Sequence, residues 1–464
     1  VIQVNPPRET VARPDEAEVR PVSSTRQMVL SALFQPHGHS KSSWRHPDAH
    51  PSHPTDVRYY VEAARLLERG MFDLFFIADT PAARTENLDA WAQSPLYMNA
   101  LEPITLLSAV AMATEHIGLG ATVSSSFFEP FNIARQFASL DHISGGRAAW
   151  NVVTSANDYA AKNFGLDRLP PHAERYAKAR ESLQVVKAYW DTWEDDAFVY
   201  DKEGARLFDT TRQHPVSHEG EFFRVHGGLN VARSPQGHPV IIQAGASEPG
   251  KELAAETAEI VFGTGTDLDE AKKFYEDLKG RMPRFGREPD QLKVLSGFSA
   301  VIGDSEAHAA EKKAEMEALV PIEARLIALV NDLETDLFDL PLDEPVPLER
   351  IPARANHHRI YFEEIANLIR SGLTLREVAM RYTRSSVGMT GTAVQVADFL
   401  QDWMQSGGSD GFMLTFQHSP RDLRDFVEQV VPLLQDRGLL RREWTGRTMR
   451  ENLGLTRPAN RHAV

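Results

Sequence analysis

Short apolar, β-branched runs recur along the chain with helix-period stretches between them, and that alternation admits few folds. Strands are expected at Met28–Phe34, Phe72–Ala78, Ile117–Val123, Arg147–Val153, Pro239–Ala244, Glu259–Gly263, Leu292–Phe298 and Asp410–Phe416. Parallel strands joined by helices, eight in number, point to a closed (β/α)8 barrel of the TIM type, an α/β fold. The linking stretches keep one apolar face, as in Val57, Val61, Ala64 and Leu67, or Ala179, Leu183, Val186 and Trp190. Three segments exceed the βα unit: about 80–100, 193–239 and 315–390. Within them HEGEFFRVHGG reads as a hairpin, DLETDLFDLPLDEPVPLER as a loop, and Tyr361–Tyr382 as helical. Insertions after strands are where active-site lids arise. One barrel domain over 26–456 is the expected organisation, preceded by a Pro-rich, charged arm at 1–25.

Composition narrows function. Lys and Arg number 50 against 65 Asp and Glu, a net charge of −15, with no basic stripe for nucleic-acid phosphates. There is no cysteine, so thiolate nucleophiles, Cys-ligated zinc and iron–sulfur clusters are excluded, and redox chemistry would need a bound cofactor. Apolar runs such as Leu74–Ala78 are far shorter than the roughly 20 residues of a bilayer span. The first residues carry no signal-like apolar core, which gives the expectation of a cytoplasmic protein.

Barrel active sites lie where strands end. Asp79, Thr122, Ser124, Asn151, Thr154, Gln243, Ser247 and Thr264 occupy those ends. Any one of them could be an ordinary turn residue; the joint pattern carries the argument. Gln243-Ala-Gly-Ala-Ser247 runs from a strand into a helix through small residues, leaving helix N-terminal amides open to an anion such as a phosphate.

Other motifs weigh less. GLGATV lacks the third glycine of a dinucleotide fingerprint and begins a strand instead of following one. No phosphate-binding P-loop is present. His37, His39, His46, His50 and His53 crowd one loop, readable as a polar active-site wall, as exposed histidines or as a metal site; its three prolines fix no ligand geometry. His172 and Tyr176 stand four apart at a helix start and share a face, which also suits a packed tyrosine. Arg437, Arg441, Arg442, Arg447 and Arg450 read as a solvated or subunit-contact cluster.

The blocks WRHPDA, FDLFFIAD, EPITLLSAVAMATEHIGLGATVSSSFFEPFNIARQFASLDHISGGRAAWNVVTS, HAERY, SPQGHPVIIQAGAS and DGFMLTF, with VVPLLQDRGLLRREWTGRTMRENLGL, resemble the nitrilotriacetate monooxygenase component A and dibenzothiophene sulfone monooxygenase family of bacterial-luciferase-like enzymes. The resemblance covers about residues 26–456. It implies a barrel that binds FMN at its mouth, receives it as FMNH2 from a separate NAD(P)H:flavin reductase, and uses O2 to oxygenate a small organic substrate through a flavin hydroperoxide. Cleavage of a C–N or C–S bond can follow. Asp79 and Thr122 would then lie near the flavin ring, His172 and Tyr176 toward the ribityl phosphate, and Ala246 and Ser247 at the phosphate, with Asn151 of WNVVTS a further flavin contact. His37, His39 and His172 become candidates for proton transfer. SSSFFEPF departs from the more usual STTYFEPY, with Phe128 taken as the substrate-facing position. A homodimer or homotetramer is implied. Two alternatives are a deazaflavin-dependent oxidoreductase and a non-catalytic flavin-binding subunit.

Overall fold

Eight parallel strands close on themselves. The computed structural model describes residues 27–93, 98–155, 157–353, 359–382 and 387–463; the arm expected at 1–25 lies outside them. The strands are β1 (Val29–Leu33), β2 (Leu74–Ile77), β3 (Gly118–Ser124), β4 (Ala148–Val153), the hairpin β5 (Val216–Glu219) and β6 (Arg224–Gly227), β7 (Val240–Gln243), β8 (Ile260–Gly263), β9 (Lys293–Ile302), β10 (Gly388–Gly391) and β11 (Gly411–Thr415). Parallel pairing runs β1-β2-β3-β4-β7-β8-β9-β11 and returns from β11 to β1. These are the eight strands expected from the sequence. β10 is an addition, running parallel to the far end of β9 beyond the register with β11.

Alternate residues serve two cores. Leu74 and Phe76 face the barrel interior with Val240, Ile242, Ile260 and Leu295, while Phe75, Ile77 and Ile241 pack outward against the helices. The glycines of GLGATV have steric work here. A β-carbon on Gly120 would meet Leu74 Cδ1 at 2.9 Å, and one on Gly118 would meet Asp73 O at 2.6 Å. The helix Val57–Arg69 buries Tyr59, Tyr60, Ala63, Ala64 and Leu67, a face turned from the expected one, and leaves Val57 37% exposed.

The amino-terminal end of the barrel is sealed by the C-terminal segment. Met449, Leu453 and Leu455 join the interior cluster. Two of the arginines expected at the surface are buried instead. Arg441 pairs with Asp73, and Arg450 pairs with Glu259, donating from Nη2 to Oε2 at 2.8 Å. Arg437 and Arg442 remain in outer ion pairs with Asp398 and Asp436.

The long insertion has its own apolar cluster. Leu329, Leu333, Phe362, Ile365 and Val378 pack together, from the helices Ile322–Leu333, Arg359–Arg370 and Leu375–Arg381. The acidic loop between the first two is ordered where described, because Leu337 and Val346 enter that cluster. The stretch Tyr361–Tyr382 is helical as expected, in two helices; Gly372 at φ +78° turns the chain between them.

Candidate active site

Strand register sets the first contact. Thr122 on β3 and Asn151 on β4 are paired residues, and both side chains are buried. Asn151 Nδ2 donates to Thr122 Oγ1 at 2.9 Å. Asn151 Oδ1 is buried with no partner, a state that costs about 1–3 kcal/mol unless something else fills it.

One strand further, Asn151 is level with Ile242 of β7, and the chain continues as QAGAS. Ser247 caps the helix Glu248–Thr257, its Oγ accepting from Gly250 N at 3.3 Å. A capping hydroxyl uses a lone pair, so its O–H remains able to donate to an anion. Lys251 and Arg281 hold the Glu248 carboxylate, with Arg281 Nη2 to Glu248 Oε2 at 2.8 Å. Tyr176, from the helix His172–Trp190, closes the other side. A β-carbon on Gly245 would sit 2.7 Å from Tyr176 Oη and 3.1 Å from Gly250 Cα. The His172 ring, on an exposed residue, is 4.8 Å from the Tyr176 ring, so the two share a face as expected. Ala246 is exposed beside them.

Asp79 stands two residues past the end of β2. Burial pushes its carboxyl up to about 6, the nearby Glu102 adds to the rise, and the Thr80 amide opposes it.

A cavity of about 1550 Å³ opens beside Leu33, Thr80, Thr266, Ser299 and Thr415, at the carboxyl ends of the barrel strands. Among the candidate residues, His39 lines it. His39 Nδ1 lies 3.3 Å from the Phe416 carbonyl, which only accepts, so Nδ1 carries the hydrogen and Nε2 is a bare lone pair. That Nε2 is buried without a partner, and burial lowers the ring to about 4. His37 differs: its Nε2 donates to the His50 carbonyl at 3.1 Å, and it is not among the residues lining the cavity. His46 and His37 are buried and His50 exposed, so the loop is neither a uniform wall nor a solvated tail. Among the described residues, no group of three or more histidines and carboxylates is arranged to hold a metal ion.

Phe128 meets Phe164 edge-on at 5.5 Å, while Phe127 stacks on the same ring at 4.5 Å. Residue by residue, the tyrosine of STTYFEPY corresponds to Phe127, not to Phe128.

Residues 37–410 match the family described as luciferase-like monooxygenase. The chain belongs to that family. It is 44% identical over 449 residues to nitrilotriacetate monooxygenase component A of Aminobacter aminovorans, covering 95% of this chain and 99% of that one. Among solved structures, a long-chain alkane monooxygenase superposes with a TM-score of 0.82 at 33% identity, over 93% of this chain and 96% of the other. A riboflavin lyase with modified FMN and riboflavin also gives 0.82, at 28% identity, over 93% and 97%. This luciferase-like monooxygenase is therefore an oxygenating enzyme on a (β/α)8 barrel.

Sequence reasoning missed Arg84, Asn331 and Gln417, which line the cavity of this monooxygenase. It also missed His418, which is fully buried with both ring nitrogens unpartnered. Gln417 and His418 lie just past the last strand, after Phe416, a signal that was readable. Arg84 and Asn331 lie in different insertions and carried none.

Proposed function

We propose that this chain is the oxygenase of a two-component pair. It takes FMNH2 from a separate NAD(P)H:flavin reductase and, with O2, adds one oxygen atom to a small organic substrate bearing nitrogen, sulfur or halogen, after which a C–N or C–S bond can break. The carrying observation is the buried Thr122–Asn151 pair with its unanswered Oδ1, in the last three residues of β3 and β4. An amide oxygen there suits the N–H edge of a flavin ring.

The remaining residues fit the rest of FMN. Ser247 Oγ, Ala246 and the Tyr176 hydroxyl, drawn together over Gly245, suit the phosphate end, with His172 at the ribityl side. Asp79 and Thr122 fall on the ring side. When bound, reduced flavin supplies the electrons that activate dioxygen. The protein positions the reactants, excludes water beneath the insertions and handles protons. The His39 ring is neutral at pH 7 and held through Nδ1 by the Phe416 carbonyl, which leaves Nε2 placed to accept a proton from substrate, a role His37 and His172 are less well placed to share. Phe128 belongs to the aromatic wall beside Phe164, on the proposed substrate side. A soluble dimer or dimer of dimers, with residues 26–456 as one domain, completes the reading.

The test supplies purified protein with FMNH2, air and a panel of sulfones, thioethers, amines and aminopolycarboxylates, reading product mass. A gain of one oxygen atom, dependent on FMNH2, is expected. NADH oxidation by the purified chain unaided would contradict the two-component reading.

A further inference from the structure

One cation in the cavity wall has no acid opposite it. Arg84 comes from the chain after β2, and its guanidinium lies over the Tyr159 ring at 3.8 Å and the Trp91 ring at 4.8 Å. Arg84 Nη2 donates to Asn331 Oδ1 at 2.7 Å, joining the two insertions across the cavity. Its Nε is buried without a partner. Among the described residues, no carboxylate lies within ion-pair distance of it.

Of the acids that line the cavity, Glu86, Glu317, Asp158 and Asp336 have other partners, and Glu334 is also engaged. Glu86 faces Lys162 at 3.7 Å and Glu317 faces Lys313 at 3.9 Å. Asp158 and Asp336 each accept a backbone amide at 2.9 Å, from Leu169 and Phe338. A guanidinium sandwiched by rings and tethered through one nitrogen has lost most of its freedom before any ligand arrives. Holding that charge against a partly dry wall is unfavourable until an anion answers it. A planar, oriented guanidinium matches a carboxylate in shape as well as sign.

We infer that Arg84 is the substrate-recognition residue of this oxygenase and that the molecule oxygenated is an organic acid, held by its carboxylate against Arg84. This rests on the reading of the mouth cavity as the oxygenation site.

The experiment compares nitrilotriacetate, thiodiglycolate and phenylacetate with their primary amides, which match them in size and lack the charge. Binding to wild type, Arg84→Gln and Arg84→Lys is measured by calorimetry, and turnover with FMNH2 and air is measured for every acid that binds. At least one acid should bind wild type about tenfold or more tighter than its amide. Arg84→Gln should abolish that preference by raising KM with kcat little changed, at unaltered FMN affinity, and Arg84→Lys should restore part of it. Amides binding as tightly as acids, binding of none of the acids, or a preference that survives in Arg84→Gln would overturn the inference. Failure of wild type to bind FMN would sink the flavin reading instead, and the calorimetric comparison of acid with amide would stand apart from it.

Discussion

The Tyr176 hydroxyl stands 2.7 Å from the point that a β-carbon on Gly245 would occupy. Two motifs far apart in sequence, HAERY and QAGAS, therefore meet where only hydrogen fits. Gly245→Ala should push Tyr176 aside and weaken FMN binding about tenfold or more, with a small change in melting temperature. Fluorescence titration with FMN reads this; unchanged affinity would remove Tyr176 and Gly245 from the phosphate site.

Asn151 offers a second handle on the flavin. Asn151→Ala deletes both the bond to Thr122 and the unpartnered Oδ1. If Oδ1 meets the flavin ring, affinity falls by about 1–3 kcal/mol. If the residue is only structural, thermal stability falls and affinity of the folded fraction does not.

Acid should destabilise this protein earlier than its carboxylates alone require. Burial lowers His39 to about 4 and, with His46 and Arg421 adding repulsion, His418 to about 3; His37 is also lowered. Between those values and the ordinary 6.5 the unfolded chain binds more protons than the folded one. Stability is thus fully present above about pH 6.5 and declines as pH falls toward 4. The His39 shift corresponds to roughly 3 kcal/mol. Asp79, raised to about 6, acts with opposite sign, losing stability as pH rises from about 4 to 6. The histidines outweigh it, so melting temperature should drop from pH 7 to pH 5, and His418→Leu should flatten that slope.

The buried pair at the barrel floor makes a stability prediction. Glu259→Leu leaves Arg450 charged and buried, at a cost of about 3–5 kcal/mol, whereas Glu259→Leu with Arg450→Met should recover much of it. Urea unfolding of both variants measures the difference; equal losses would mean that the ion pair itself, and not the stranded charge, sets the cost.

How much was legible follows from what each signal depends on. The barrel strands were readable because burial on both faces gives continuous apolar runs, and their ends supplied Thr122 and Asn151. Adjacency of those two needed the register, which no single-chain pattern contains. β10, Gly-Met-Thr-Gly, has no apolar pattern and exists only because β9 extends past β11. The helix face at Val57–Arg69 was misjudged because two tyrosines, amphipathic by nature, took the buried side; Tyr60 Oη reaches the Pro54 carbonyl at 2.9 Å. Arg441 and Arg450 looked like surface charges since their acids lie 368 and 191 residues away along the chain. Arg84 was invisible for the same reason: its meaning comes from Tyr159, Trp91 and Asn331 gathering around it.

The floor of the barrel also sets an order of events during synthesis. β1 emerges from the ribosome first among the strands yet finds its second neighbour only in β11, and the Met449 plug follows later still. Until the last stretch is released, the nascent sheet keeps two unmatched edges and an open apolar bore, the kind of surface that molecular chaperones shield. Loss of the final segment would thus be felt first in yield and only secondarily in chemistry.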